Sequence, residues 1–289
     1  MASAIRRLEK RFRTAREMAL RRLLSGRRGR KLVMKALGDD VMSVTLDCGD
    51  HVLTFSPHEL VGRAIYMDGH FDRHRINEIF SILDKEAAIP AAGLVVVEIG
   101  ANIGTQSVYF GLSPRVEKVL AIEPDPRNLK LLRRNIADNG LLSKISVVPY
   151  AVGDFSGEAD LYFVPGNQGQ SSLLAPERSG ASARIEVKPL QSILDETGVT
   201  AAEIGFVWMD IEGAEPMALR SMTALLERRV PINLEFSPKL YGPQGTRDFV
   251  AFLARYYERC VFFLGDQRVH MKVADISLDS RQADILLLP

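Results

Sequence analysis

The stretch Val97-Glu98-Ile99-Gly100-Ala101-Asn102-Ile103-Gly104 decides how this chain is read. It closes the run Leu94-Val95-Val96-Val97-Glu98-Ile99, rich in β-branched residues and without polar alternation, which suits a strand covered on both faces. Residues 105–112 then read as a helix. Glycines at such a strand-to-helix turn let the backbone approach a ligand closely, and the helix start offers free N–H groups. Close packing of helix on strand is the plainer reading of the same glycines. The dinucleotide fingerprint G-x-G-x-x-G is not met, because Asn102 stands where its second glycine belongs. NAD and FAD are therefore disfavoured.

The neighbouring segments extend the pattern. Residues 118–123 form a second strand pattern ending in Glu123, nineteen residues after Gly104. A carboxylate there can accept hydrogen bonds from both hydroxyls of a ribose, and the glycine turn at this distance favours that role over a mere surface acid. Residues 125–139 read as a long helix closed by Asn139-Gly140, and 145–148 as a third strand. Strand, helix, strand, helix, strand in short order predicts a parallel sheet with helices on both faces. Further strands are expected at 204–209, 231–236, 259–264 and 283–288, with helices at 214–227 and 246–257. Residues 155–190 read as a loop excursion on the ligand face. Upstream, 41–46 and 51–55 predict a small hairpin, Ser56-Pro57-His58-Glu59 a helix start, and 75–88 a helix.

Composition limits the rest. With 289 residues, 46% hydrophobic and 25% charged, the chain has ample apolar surface for a core, which excludes bulk disorder. No window reaches the ~18 consecutive apolar residues of a membrane span. Cys48 and Cys260 alone cannot build a disulfide scaffold or a cysteine zinc site, and a reducing cytoplasm is the expectation. The net charge of +1 hides twelve basic residues against Glu9 and Glu17 within residues 1–31, a local +10 that leaves −9 for the remainder. These first residues do not read as a secretory signal, since no apolar region follows the basic ones. Ile5, Leu8, Phe12, Ala15 and Ala19 recur at helical spacing, giving a narrow apolar stripe between basic flanks. Such a helix can pack on the main domain or a partner protein, or lie at an anionic membrane surface or polymer; an organellar transit peptide is weakened by the two acids and scarce serine.

Four segments together resemble a known family. Glu98-Ile99-Gly100-Ala101-Asn102-Ile103-Gly104, Glu123-Pro124-Asp125, Ala151-Val152-Gly153-Asp154 and Asp210-Ile211-Glu212-Gly213-Ala214-Glu215 look like the successive motifs of FkbM-type methyltransferases. The resemblance covers roughly residues 65–240. It implies a class I methyltransferase, Rossmann-like fold with a seven-stranded, mostly parallel sheet. Residues 1–38 would then be a basic helical segment, 39–90 a hairpin and helical cap, and 91–289 the S-adenosylmethionine-binding domain. It further implies that S-adenosyl-L-methionine is the cofactor and that the acceptor is a hydroxyl of a sugar, glycan or natural product.

By the same resemblance Glu98, Gly100, Ala101, Asn102 and Gly104 would line the methionine end of the cofactor. Glu123 with Pro124 would hold its ribose, Val152, Gly153 and Asp154 its adenine edge, and Asp210 the region beside the methyl group. Gly69-His70-Phe71-Asp72 looks like an element that closes over the cofactor, bringing Phe71 and Asp72 to it. Ser171 and Ser172 match a loop element placed here on the substrate side, together with Glu215. Two departures stand out: Trp208 occupies a position that is Lys in many relatives, and Asp72 replaces the commoner Glu.

Methyl transfer to an alcohol needs alignment and a base for the departing proton. Asp210 is the first candidate, with Glu212, His70 or His74 as alternatives. Glu215 would fall in the first turn of a helix, where a carboxylate also complements the helix dipole. A metal is not expected, since Asp210 and Glu212 are matched at the next strand end only by Glu235. Nucleic acid is an unlikely acceptor, because the remainder is acidic and no Pro-Pro-aromatic turn follows Asp210. A metal-assisted O-methyltransferase and a non-catalytic nucleotide-binding module recruited by the basic helix are the competing readings.

Overall fold

A computed structural model describes residues 2–164, 166–174, 181–265 and 267–289, with side chains from residue 13 onward except Gln168. Ile5, Leu8 and Phe12 of the expected stripe therefore lie outside the described side chains. Helices α1 (Ala2–Ser25) and α2 (Arg27–Ala36) precede the hairpin of β1 (Val44–Asp47) and β2 (Val52–Phe55), then α3 (Leu60–Asp68) and α4 (Arg73–Lys85). The central part runs β3 (Leu94–Ile99), α5 (Thr105–Leu112), β4 (Val116–Ile122), α6 (Pro126–Asp138) and β5 (Ile145–Val148). Next come β6 (Ala151–Val152), β7 (Gly157–Tyr162), β8 (Ser182–Lys188), α7 (Leu190–Thr197), β9 (Ile204–Met209), α8 (Glu215–Arg220) and α9 (Thr223–Glu227). The chain closes with β10 (Ile232–Phe236), α10 (Pro238–Ala254), β11 (Arg259–Leu264), β12 (Gln267–Lys272) and β13 (Ala283–Leu288).

Eight strands form the main sheet in the order β12-β11-β13-β10-β9-β3-β4-β5. β3 pairs in parallel with both β4 and β9, and β9 in parallel with β10, whereas β13 runs antiparallel to both β10 and β11. The order therefore reverses between β3 and β9, and the carboxyl ends of these strands open a crevice there. Every residue of β3 is buried, as its unbroken apolar run predicts. One face of the sheet packs with α7, α8 and α9 through Val97, Ile99, Leu194, Met209 and Leu219; the other packs with α3, α4 and α5 through Val96, Ile65, Ile79, Phe110 and Phe206. Each such fully buried aliphatic or aromatic side chain contributes about 1.5–3 kcal/mol over its exposed state.

The expected elements hold with five differences. The sheet has eight strands rather than seven, the additional one being β12. Residues 155–190 are not a plain loop: β7 and β8 join β6 in a second, three-stranded sheet of order β6-β8-β7. Ser56-Pro57 makes a turn in which the Ser56 hydroxyl accepts from His58 N at 3.3 Å, and the helix begins only at Leu60. The expected helix at 214–227 breaks into α8 and α9, while α10 starts early, at Pro238, and kinks at Gly242-Pro243.

The hairpin is sealed to the body by two amides of α6. Asn135 accepts from Thr54 N at 2.7 Å and donates to Thr54 O at 3.0 Å and Ile103 O at 2.8 Å. One turn later Asn139 accepts from Val52 N at 2.8 Å and donates to Val52 O at 2.7 Å. Spaced four apart on one helical face, the two side chains do for the free edge of β2 what a neighbouring strand would do.

Candidate functional site

A cleft of about 770 Å³, part of it open to solvent, lies over the carboxyl ends of β3, β4 and β9. Its first wall is the glycine turn. Gly100 has φ +87°, and a Cβ there would stand 1.9 Å from the Asp210 carbonyl oxygen, so only glycine lets these two segments cross. Asn102 follows at φ +51°, a conformation Asn tolerates better than most residues. The turn is held by Glu123, whose carboxylate accepts from Asn102 N at 2.7 Å and Asp125 N at 2.9 Å. Glu123 is buried, and burial pushes its carboxyl up to about 7 despite these bonds.

Asn128, three residues into α6, reaches Glu123 with its amide nitrogen at 3.4 Å. Its amide oxygen is buried and, among the described residues, finds no partner. An unspent acceptor beside a carboxylate at a strand end fits a vicinal diol. Apolar side chains of Ile122, Val152, Leu161 and Leu173 line the cleft beyond it, as a flat heterocycle requires. On these observations the residues present fit S-adenosylmethionine.

The opposite wall is the loop 210–215. Asp210 N donates to Ile99 O at 3.0 Å, tying the end of β9 to that of β3. Glu215, fully buried, accepts from Ile211 N and Gly213 N, both at 3.0 Å, and from the Tyr241 hydroxyl at 2.9 Å. It thereby fixes the left-handed backbone of Glu212 (φ +49°) and Gly213 (φ +97°). Both its oxygens are spent on this loop, so Glu215 lies outside the cleft lining and braces the wall from behind. Burial raises its carboxyl to about 7.

Asp210 is exposed at the cleft. Loss of water to the protein packed beside it, with the carboxylates of Glu235, Glu212, Glu215 and Asp284, raises its carboxyl above the usual range. Glu212 is pushed up to about 8, by burial first and then by Glu235 and Glu215. One carboxylate oxygen each from Asp210, Glu212 and Glu235 lies within 4.8 Å of the others.

Ser171 and Ser172 strap the two walls together. Ser171 Oγ lies 3.2 Å from Asp125 Oδ2, at the start of α6, while Ser172 Oγ donates to Glu212 O at 2.7 Å. Arg127 clasps Asp125 and lies over the Phe163 ring, 3.6 Å from its centroid, which fixes the strap's near end. Only Ser171 of the pair lines the cleft, beside Gly169 and Leu173.

Of the expected site residues, Phe71, Gly100, Asn102, Glu123, Pro124, Val152, Ser171 and Asp210 line the cleft. The others stand elsewhere. Glu98 is fully buried in β3, bound to the Ser107 hydroxyl, with its other oxygen unpartnered; burial pushes it to about 8. Ala101 is buried in the core, and Gly104 makes room for Leu132 of α6, so it serves helix packing. Gly153 sits against Val187, and Asp154 pairs with Arg220 at 2.7 Å on the outer surface. His70 and His74 are exposed with ring centroids 6.2 Å apart, and Asp72 precedes α4 at φ +57°. Glu212 and Ser172 flank the cleft without lining it. Gln106, Asn128, Tyr150 and Trp208 line it and were not singled out as ligand contacts. Gln106 and Asn128 carry one usable signal, a polar side chain in the first turn of a helix that follows a buried strand.

A mostly parallel sheet whose order reverses beside a glycine turn, with a buried acid at the end of the next strand, is the class I methyltransferase fold. Residues 98–264 match the family model described as the methyltransferase FkbM domain, and the chain belongs to that family. It is 28% identical over 172 residues to "Methyltransferase sdnD" of Sordaria araneosa, covering 50% of this chain and 66% of that protein, just under two thirds. It is 25% identical over 184 residues to "2-O-methyltransferase NoeI" of Sinorhizobium fredii, covering 58% of this chain and 71% of that one. Among solved structures, precorrin-6y C5,15-methyltransferase from Geobacter metallireducens aligns over 72% of this chain and 86% of its own, at 13% identity and a TM-score of 0.38. No described helix is long and apolar enough to cross a membrane.

Proposed function

We propose that the chain transfers the methyl group of S-adenosyl-L-methionine to a hydroxyl oxygen of a sugar, glycan or other small natural product, with Asp210 as the base. The carrying observation is that one cleft is lined both by Glu123 with Asn128, a pair suited to a vicinal diol, and by the carboxylate of Asp210. The family supports the reaction class, and the name of the Sinorhizobium relative supports an oxygen acceptor. The cofactor, when bound, supplies a methyl group on a positively charged sulfur. Glu123 and Asn128 hold the ribose hydroxyls, and the turn at Gly100 admits the backbone-close part of the ligand. Asp210 orients the acceptor hydroxyl and takes its proton as the new C–O bond forms. Because Asp210 is held high, it must first lose its own proton, so turnover should rise with pH through a value above the ordinary carboxylate range. Ser171 and Ser172 keep the walls apart at a fixed width, and Phe71 covers the opening from the side of α3.

One observation favours a second reading, metal-assisted O-methylation: the three carboxylates of Asp210, Glu212 and Glu235 converge. One assay covers both. Carbohydrate and natural-product extracts are incubated with radiolabelled methyl donor, wild type or Asp210→Asn, with and without chelator. The base role predicts a loss of about 10²–10⁴-fold in Asp210→Asn with cofactor affinity largely retained. Near-native turnover in that variant would reassign the base. Activity lost to chelator and restored by Mg²⁺ would favour the second reading; labelling of no acceptor, with tight cofactor binding, would favour a non-catalytic binding module.

A further inference from the structure

We infer that α1 and α2 form an interfacial docking element that lays the protein on an anionic lipid bilayer. The element is built into the fold at one end. Met34 of α2 is buried in the core, and Arg30 donates to the Tyr66 carbonyl of α3 at 2.9 Å. Gly29 leaves the space that the Leu23 and Leu24 backbone occupies, since a Cβ there would stand 2.4 Å from both Leu23 O and Leu24 Cα. The corner between α1 and α2 is therefore a packed joint.

Beyond that joint, every described side chain from Arg13 to Leu23 is exposed. Ala15, Met18, Ala19 and Leu23 stand at i, i+3, i+4 and i+8, one face of a helix, and Met18 and Leu23 are 61% and 71% exposed. Ile5, Leu8 and Phe12 continue the same spacing in sequence. Beside that face stand the exposed Arg13, Arg16, Arg21 and Arg22 with Glu17, and the sequence before them adds Arg6, Arg7, Lys10 and Arg11 against Glu9. Leu32 of α2 is also exposed, beside Arg28 and Lys31.

Three occupants can be weighed on charge and apolarity. A second copy of α1 would bring two strongly basic helices together, which like charge opposes. A nucleic acid would satisfy the arginines but leave Met18, Leu23 and Leu32 in water. An anionic bilayer satisfies both, taking the apolar stripe into the acyl boundary and the arginines at the headgroups. The chain beyond α2 carries −10, which orients the body away from the surface, so that only the basic element touches it.

Flotation of the full chain with vesicles tests this directly. The protein should float with vesicles of phosphatidylcholine mixed with phosphatidylglycerol, remain behind with phosphatidylcholine alone, and be released by high salt. Met18→Gln with Leu23→Gln leaves every charge in place and changes only exposed side chains, the Leu23 backbone at the joint being untouched; it should weaken vesicle binding at least about tenfold. Full retention in that variant would overturn the interfacial reading. So would failure to float with anionic vesicles, whether the protein instead binds duplex DNA or runs as a dimer through α1.

Discussion

Glu98, Glu123 and Glu215 are three buried carboxyls of this fold, and loss of water raises each: to about 8, about 7 and about 7. In an unfolded chain the same groups titrate near 4.3. The folded state therefore binds more protons than the unfolded one between these limits, so the stability they contribute is complete in mild acid and is lost as pH rises toward 8. The expected outcome is a urea midpoint that falls steadily from about pH 5 to about pH 8. Glu98→Gln keeps an acceptor for Ser107 and removes the charge, so at the alkaline end it should raise stability by about 1–3 kcal/mol and flatten the pH dependence. A midpoint that rises over this range, or a Glu98→Gln protein weaker throughout, would contradict the assignment. The diol-facing carboxylate answers to the same balance, since hydroxyl donors from a bound ligand favour its charged form.

Among the elements, those that bury continuous apolar runs were legible from sequence, and those held by isolated polar contacts were not. β3, β4 and α6 follow from periodicity and from the helix start at Asp125-Pro126, where Asp125 accepts from Arg127 N at 2.9 Å. β12 carries no such signal because five of its six residues are exposed on the sheet edge. The β7–β8 pair was hidden for a related reason: only three of its thirteen residues are buried, so no continuous apolar run marks it. At the site, Gly100 and Glu123 could be read from the spacing of glycine turn and acid, whereas the places of Asn102 and Asp210 came with the family resemblance. Glu235 could be assigned to the next strand end, but its closeness to Asp210 and Glu212 could not, since it depends on β10 lying beside β9. The serine strap likewise joins residues forty or more positions apart. Asn135 illustrates how much one such contact carries. Asn135→Ala would leave the Thr54 amide and the Thr54 and Ile103 carbonyls without it, all inside the core. With about 1–3 kcal/mol for each buried group left unsatisfied and partial relaxation, a loss of about 2–4 kcal/mol is expected in urea unfolding. Asn139→Ala, half-buried, should cost less. Equal and small losses for both would show that the hairpin edge does not depend on the amide pair.

At the scale of the whole molecule, the reversal of strand order between β3 and β9 is what creates the site. It sets the glycine turn and Glu123, from one half of the sheet, against the loop of Asp210 and Glu215 from the other. Ser171 and Ser172 then tie the two halves together through Asp125 and Glu212, while α2 attaches to α3 through Arg30 and the Tyr66 carbonyl. On the proposed function the cofactor end would depend on Glu123 and the reacting end on Asp210, two roles that separate by mutation. Calorimetric titration of S-adenosylmethionine into wild type and Glu123→Ala tests the placement of the cofactor most directly. Two charge-assisted hydrogen bonds, each worth about 1.5–3 kcal/mol before solvent compensation, predict at least about a tenfold loss of affinity. A Glu123→Ala protein that stays folded and binds within about twofold of wild type would contradict it.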